Sequence, residues 1–215
     1  MTFAEEKIAL IYDKAAKYTA FYELDALFGK VRENSIYRRR TIATLNINQN
    51  YKVLDVACGI GLNFKIIESY LKNTGLLVGI DISKESLKVA NSKVKKYNWK
   101  NVKLINDDIV NYDFNFNFDV ILCTLALTII PKYKETIDKI YSLLKPKGRF
   151  AILDMKLPSG FIFKPINPMI KQFYYNTGIK IDRDLKSYVQ SKFDKIIYYE
   201  ECFYGNYYII TALKL

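Results

Sequence analysis

The chain has 215 residues, half of them hydrophobic, which is enough for one folded domain with a substantial core. It carries 33 Lys and Arg against 22 Asp and Glu, a net charge of +11, and its most apolar run, residues 120–130, is shorter than the about 20 residues that cross a bilayer. There is no histidine, the commonest general base, and Cys58, Cys123 and Cys202 have neither metal-like nor disulfide-like spacing, which excludes a disulfide scaffold and a clustered-ligand metal centre.

In chain order, residues 1–10 hold early acids and no long apolar core, unlike a secretory signal, so a reducing cytosol is the expected compartment. Ile8, Ile11, Tyr12, Ala15, Tyr18, Tyr22 and Ala26 then recur near helical spacing, with Lys7, Lys14 and Lys17 among them. This pattern predicts a helix that either packs on a sheet or closes as an amphipathic lid. Arg38, Arg39 and Arg40 follow, as a solvated face or as contacts to phosphate.

Residues 53–61, VLDVACGIG, form an apolar strand carrying one acid, Asp55, that breaks into a turn with Gly59 and Gly61. Glycine there lets the chain bend and lets a cofactor approach the peptide amides. Residues 62–72 have apolar positions at helical spacing, so the turn opens a helix whose first amides face the same crevice. A second apolar strand, 76–80, ends in Asp81, 20 residues past Gly61, where an acid can accept from a ribose diol. A dinucleotide fingerprint wants a small residue three positions after the second glycine, and that position is Phe64, which argues against a nicotinamide or flavin dinucleotide.

Further strands are expected at 52–56, 102–105, 120–124 and 150–154, alternating with helical stretches, which implies a mostly parallel sheet covered on both faces. Residues 195–201 and 207–213, around Gly205-Asn206, predict a closing antiparallel hairpin. The chain so divides into an N-terminal lid or substrate region (1–49), a cofactor-binding core (50–154), a lid insertion (155–193) and the hairpin (194–215). The insertion mixes Phe161, Ile162, Phe163, Met169, Ile170, Phe173, Tyr174 and Tyr175 with Lys164, Lys171 and Lys180, which suits a lid over an apolar pocket or a membrane interface.

The successive words VLDVACGIG, GIDIS (79–83), NDDI (106–109), FDVILCTLALTIIP (118–131) and LLKPKGRFAILD (143–154) resemble, in order, the motifs of class I S-adenosylmethionine-dependent methyltransferases. The resemblance covers roughly half of the chain; Ala57, Ile60 and Lys147 depart from the common pattern without removing a group the cofactor needs. It implies a Rossmann-like α/β fold with a mostly parallel seven-stranded sheet, helices on both faces and a C-terminal antiparallel hairpin, and S-adenosylmethionine as cofactor, leaving as S-adenosylhomocysteine.

Site residues implied by the resemblance are Asp55 and the turn Ala57, Cys58, Gly59 and Gly61 for the methionyl end, Asp81 for the ribose, and Ile82 against the adenine. Asp108, with Asp107 as its runner-up, and the Ile109 amide would meet the adenine edge; Cys123 and Thr124 would line the methyl-donor end, with Leu125 on the acceptor side. Residues 11–23 resemble the tyrosine-rich leader of ubiquinone-type and phospholipid methyltransferases, in which Tyr12 and Tyr18 would face the cofactor. The catalytic group stays open among Tyr12, Tyr18 and Thr124, and no metal is expected.

The stretch 124–158 and the words around Asn98-Trp99 resemble phospholipid and betaine-lipid N-methyltransferases, whereas quinone C-methyltransferases of the same branch commonly carry Arg-Asn where this chain has Thr128-Ile129. The expected acceptor is therefore a lipid headgroup or small amine at an anionic membrane surface, with a quinone-like ring or another metabolite as the alternative. A non-catalytic cofactor-binding module is opposed by the intact Asp55, Gly59, Gly61, Asp81 and Asp108; nucleic acid is opposed by the absence of an RNA module or of the Asn-Pro-Pro-Tyr and Pro-Cys motifs.

Overall fold

The structure, a computed structural model, describes residues 35–215. Its strands are β1 (Lys52–Val56), β2 (Leu76–Asp81), β3 (Val102–Asn106), β4 (Phe118–Thr124), β5 (Leu144–Met155), β6 (Lys195–Cys202) and β7 (Tyr207–Leu213). They form one sheet in the order β3-β2-β1-β4-β5-β7-β6, with β1 to β5 parallel and β7 antiparallel to both its neighbours. The order reverses between β1 and β4, and a crevice opens beyond the carboxyl ends of strands at such a switch point.

The helices are α1 (Ile36–Ala43), α2 (Phe64–Leu71), α3 (Lys84–Lys96), α4 (Tyr133–Leu143), α5 (Asn167–Asn176) and α6 (Leu185–Lys192), with a short 3-10 turn at Phe161–Phe163. Side chains alternate across each strand, so the two sheet faces bury different sets. Val53, Leu77, Val120, Leu122 and Ala151 pack under Ile42 of α1, Phe64 and Ile67 of α2, and Leu87 and Ala90 of α3. Leu54, Val56, Ile121, Cys123, Phe150 and Ile152 pack under Ile137 and Ile140 of α4 and Leu185 and Val189 of α6.

The two faces decide which polar residues meet. Asp55 shares the row of Val53, and Thr124 the row of Val120 and Leu122, so both point toward α1 and α2. Cys123 and Asp154 point the other way.

Three differences from the sequence expectation have local causes. The helix after the glycine turn begins at Phe64 instead of residue 62, because Gly61 is in the left-handed region at φ +72° and residues 60–63 are still turning. β5 begins at Leu144, six residues early, pairing irregularly with β4 across Phe118 and Val120 while Lys147 takes φ +63°. The closing hairpin forms, but its second strand inserts between β5 and β6; β7 is buried over Tyr207 to Ala212, as a central strand must be, whereas β6, at the edge, is half-buried or exposed up to Cys202. Among the described residues no helix is long and apolar enough to cross a membrane.

Candidate cofactor and active site

The turn after β1 is built on three left-handed residues, Ala57 (φ +51°), Gly59 (φ +53°) and Gly61 (φ +72°). At Gly61 a Cβ would lie 2.7 Å from the Phe64 ring, so the glycine admits the fully buried phenyl that anchors α2. At Gly59 a Cβ would meet nothing within 4 Å, so the space over that peptide is open, as a cradle for a cofactor requires. Ala57 adopts the left-handed conformation with a Cβ, at a cost of roughly 1 to 2 kcal/mol.

Asp81, at the tip of β2, ties this turn to the neighbouring strand: Gly59 N–H donates to one carboxylate oxygen at 2.7 Å and Ser83 N–H to the other at 2.8 Å. A carboxylate has about four acceptor sites, more than two amides use, so it can hold the turn and still accept from a diol. Asn106 Nδ2 donates to the carbonyls of Asp81 and Ile82, both at 3.0 Å, fixing the backbone on which half-buried Ile82 stands.

Beneath the turn lies a buried polar cluster. Both oxygens of Asp55, fully buried, accept from Asn63 Nδ2 at 3.0 Å, and the same amide nitrogen reaches Thr124 Oγ1 at 3.0 Å. Arg38, only 5% exposed, donates from Nη1 to Asn63 Oδ1 at 2.8 Å and to Thr124 Oγ1 at 2.7 Å. Burial raises the Asp55 carboxyl to about 7; the Asn63 hydrogen bond and the Arg38 charge oppose that rise and the charge of Asp81 adds to it. Thr124 Oγ1 already accepts two hydrogen bonds, which occupies its lone pairs, so this hydroxyl can orient a neighbour but is poorly placed to take a proton.

The other sequence-derived residues divide. Asp108 is half-buried and accepts from Val110 N–H at 2.9 Å, and exposed Asp107 accepts from Asp108 N–H at 2.7 Å, so both shape the loop after β3; Ile109 is buried in the core beside it. Cys58 is buried behind the turn, and Cys123 lies in the core on the far side of β4, away from Thr124. Burial pushes both thiols well up, so they stay protonated and neither is a nucleophile. Leu125 ends β4 in the left-handed region (φ +58°), its N–H donated to Leu153 O at 2.7 Å. Tyr12 and Tyr18 lie outside the described residues.

Sequence reasoning does not single out Arg38 or Asn63 for this site. Arg38 lies four residues before Ile42 and three before Thr41, on the buried face of α1, while Arg39 and Arg40 face outward and Arg40 pairs with Glu200 at 2.7 Å. The grouping of the three arginines as one surface or phosphate-binding run is therefore corrected: helical geometry sends the first inward. Asn63 could have been found as the polar residue between Leu62 and Phe64 at the start of the helix after the glycine turn.

A second, apolar turn follows β4. Leu125, Ala126, Leu127, Ile129 and Ile130 follow β4, and the one hydroxyl among them, Thr128, is consumed by donating to Asp154 Oδ1 at 2.7 Å while its N–H donates to Asp154 Oδ2 at 3.2 Å. Burial raises the Asp154 carboxyl to about 6, opposed by these hydrogen bonds. Arg183 donates to the Ile130 carbonyl at 2.6 Å and stands over the Tyr133 ring at 4.7 Å, closing the turn from outside.

A parallel sheet with a glycine turn at its switch point and an acid at the tip of the next strand defines a Rossmann-like α/β protein of the class I methyltransferase fold. A family profile described as a methyltransferase domain matches residues 47–204, and the chain belongs to that family. It is 28% identical over 163 residues to a demethylmenaquinone methyltransferase of Geobacillus sp. (strain WCH70), covering 75% of this chain and 68% of that protein. Against others of the same name, from Staphylococcus and Listeria, the chain spans from 56% to 71% of the relative's length. An S-adenosylmethionine-dependent methyltransferase from Clostridium acetobutylicum superposes with TM-score 0.69 at 15% identity, over 93% of this chain and 98% of that one. A phosphoethanolamine N-methyltransferase from Haemonchus contortus, bound to phosphomonomethylethanolamine and S-adenosylhomocysteine, gives TM-score 0.71 at 16% identity, over 85% and 53%. The structural likenesses carry the fold.

Proposed function

We propose that the chain is an S-adenosylmethionine-dependent methyltransferase whose acceptor is an apolar, quinone-like ring. S-Adenosylmethionine supplies an activated methyl on a sulfonium, so the protein's task is alignment and exclusion of water. In this reading Asp81 accepts from the ribose diol, the Gly59 turn cradles the methionyl end, and Arg38 supplies positive charge near its carboxylate, with Asn63 linking Arg38 to Asp55. Asp108 and the Ile109 amide face the adenine edge, and Thr124 orients the cluster nearest the acceptor.

The observation that carries the acceptor class is the turn after β4. With Thr128 turned into Asp154 and Ala126 and Leu127 buried in the core, this turn offers the half-buried Leu125, Ile129 and Ile130, which suit a ring and its hydrocarbon tail better than a charged headgroup. The names of the sequence relatives favour the same acceptor over the lipid-headgroup amine that the motif words suggest. The Thr128-Ile129 pair, where quinone enzymes of this branch commonly carry Arg-Asn, stands against it; the guanidinium at this turn comes instead from Arg183.

The test offers the purified chain methyl-labelled S-adenosylmethionine with either a reduced demethylated naphthoquinone or phosphatidylethanolamine. Label is expected on the ring compound alone. Label on the ethanolamine nitrogen alone would restore the headgroup reading.

A further inference from the structure

We infer that the 3-10 turn and α5 form a docking surface for an anionic lipid bilayer, beside the mouth of the acceptor site. The inference rests on the proposed function and extends it by saying from where an apolar acceptor arrives.

None of the ten residues of α5 is buried, and none of the three in the 3-10 turn before it. Ile166, Met169 and Phe173 follow the i, i+3, i+7 spacing of one helical stripe, and Phe161 and Ile162 extend it from the turn. Phe161 is 85% exposed, Met169 74% and Phe173 64%. A helix this short is marginal in water without a packed face, and a cluster of large exposed apolar side chains within 13 residues marks an interaction site.

Charge identifies the partner. Between Met155 and Asp182 there is no acidic residue and there are four lysines, Lys156, Lys164, Lys171 and Lys180. Two of them are paired from outside the stretch, Lys156 with Glu201 and Lys171 with Asp182 at 2.6 Å; Lys164 is exposed between Phe161 and Met169. Large apolar side chains interleaved with ammonium groups match an interface with hydrocarbon below and anionic headgroups above. The chain's net charge of +11 adds long-range attraction of the same sign.

The patch is mechanically joined to the acceptor side. At one end Lys180 N–H donates to the Thr128 carbonyl at 2.8 Å, in the turn that carries the aliphatic lining; at the other Ser159 N–H donates to Tyr204 O at 3.0 Å and its hydroxyl to Glu201 at 3.0 Å. A lipid-soluble ring leaving the bilayer at this patch would meet the acceptor turn first.

The test is co-sedimentation of the full chain with phosphatidylcholine vesicles, with and without phosphatidylglycerol, at low and at physiological salt. The wild type is expected to sediment with the anionic vesicles, less so as salt rises. A triple Phe161→Ser, Met169→Ser, Phe173→Ser variant, altered only at exposed positions, is expected to stay in the supernatant while its melting temperature and its methylation of a short-tailed, water-soluble acceptor are unchanged. Lys164→Glu is expected to weaken partition to anionic vesicles about tenfold. Wild-type protein that ignores anionic vesicles at low salt, or a triple variant that sediments like the wild type, would overturn the inference. So would a dimer that the triple variant abolishes in the absence of vesicle binding, since the patch would then be covered by a second copy. Vesicle binding with no methylation of any ring acceptor would leave the docking surface standing and remove the acceptor reading instead.

Discussion

Arg38→Met is expected to destabilise the fold by about 1 to 3 kcal/mol at pH 8, the range for leaving buried hydrogen-bond partners unsatisfied. The guanidinium is buried against Asn63 and Thr124 and its charge opposes the desolvation of Asp55; methionine keeps the apolar stem and removes every donor. The loss should depend on pH with a definite sign. An acid whose folded pKa is about 7, against an ordinary value of 3.8, holds a proton that the unfolded chain has released, so its contribution to stability falls by about 1.4 kcal/mol per unit as pH rises from about 4 to 7 and is level above. Below pH 7 Asp55 is protonated in both proteins and Arg38 compensates no charge. Denaturant unfolding at pH 8 and at pH 5.5 should therefore show a penalty smaller by up to about 1.4 kcal/mol at the lower pH, the one pH unit over which only the wild type ionises Asp55. Asp182, Asp184 and Glu201, whose carboxyls are held low by hydrogen bonds, act alike in both proteins and cancel in the difference. An equal penalty at both values would mean that Arg38 stabilises the fold without regard to Asp55.

Asp81→Ala is expected to weaken S-adenosylhomocysteine binding roughly 100-fold or more. One lost charge-assisted hydrogen bond accounts for about 1.5 to 3 kcal/mol. The structure adds a second loss: the Gly59 and Ser83 amides give up their acceptor, and the turn proposed to cradle the methionyl end is no longer tied to β2. Asp81→Asn keeps one acceptor oxygen but replaces the other by a donor facing an N–H, so an intermediate loss is expected. Titration calorimetry checks both, and wild-type affinity in Asp81→Ala would remove Asp81 from the site.

The candidate cofactor half of the site is the part most legible in the sequence, because its signals are local. Gly59 and Gly61 mark a turn in the left-handed region, with room for a Cβ at Gly59 but not at Gly61, and Asp81 follows at the spacing that one helix and one strand impose. What stayed hidden depends on facing. Whether Cys123 or Thr124 joins Asp55 is a matter of strand parity, set by which of Val120 and Ile121 packs under α2, and periodicity alone does not say which face a helix will cover. The inward turn of Arg38 needed Ile42 as its reference for the buried side of α1. The place of β7 between β5 and β6 comes from its pairing with both, although its unbroken burial is written in the apolar run 207–212. The acceptor is least legible of all. The side chains proposed to meet it come from the turn after β4 and from segments whose composition suits a lid, a membrane or a ring equally well.

The most direct measurement is transfer itself. The purified chain is incubated with methyl-labelled S-adenosylmethionine and a total lipid and metabolite extract, and the labelled product is identified by mass spectrometry. Label in an organic-extractable aromatic product, lost in Asp81→Ala, is the expected result. Cofactor binding with no label in any fraction would contradict it and leave a binding module that does not methylate.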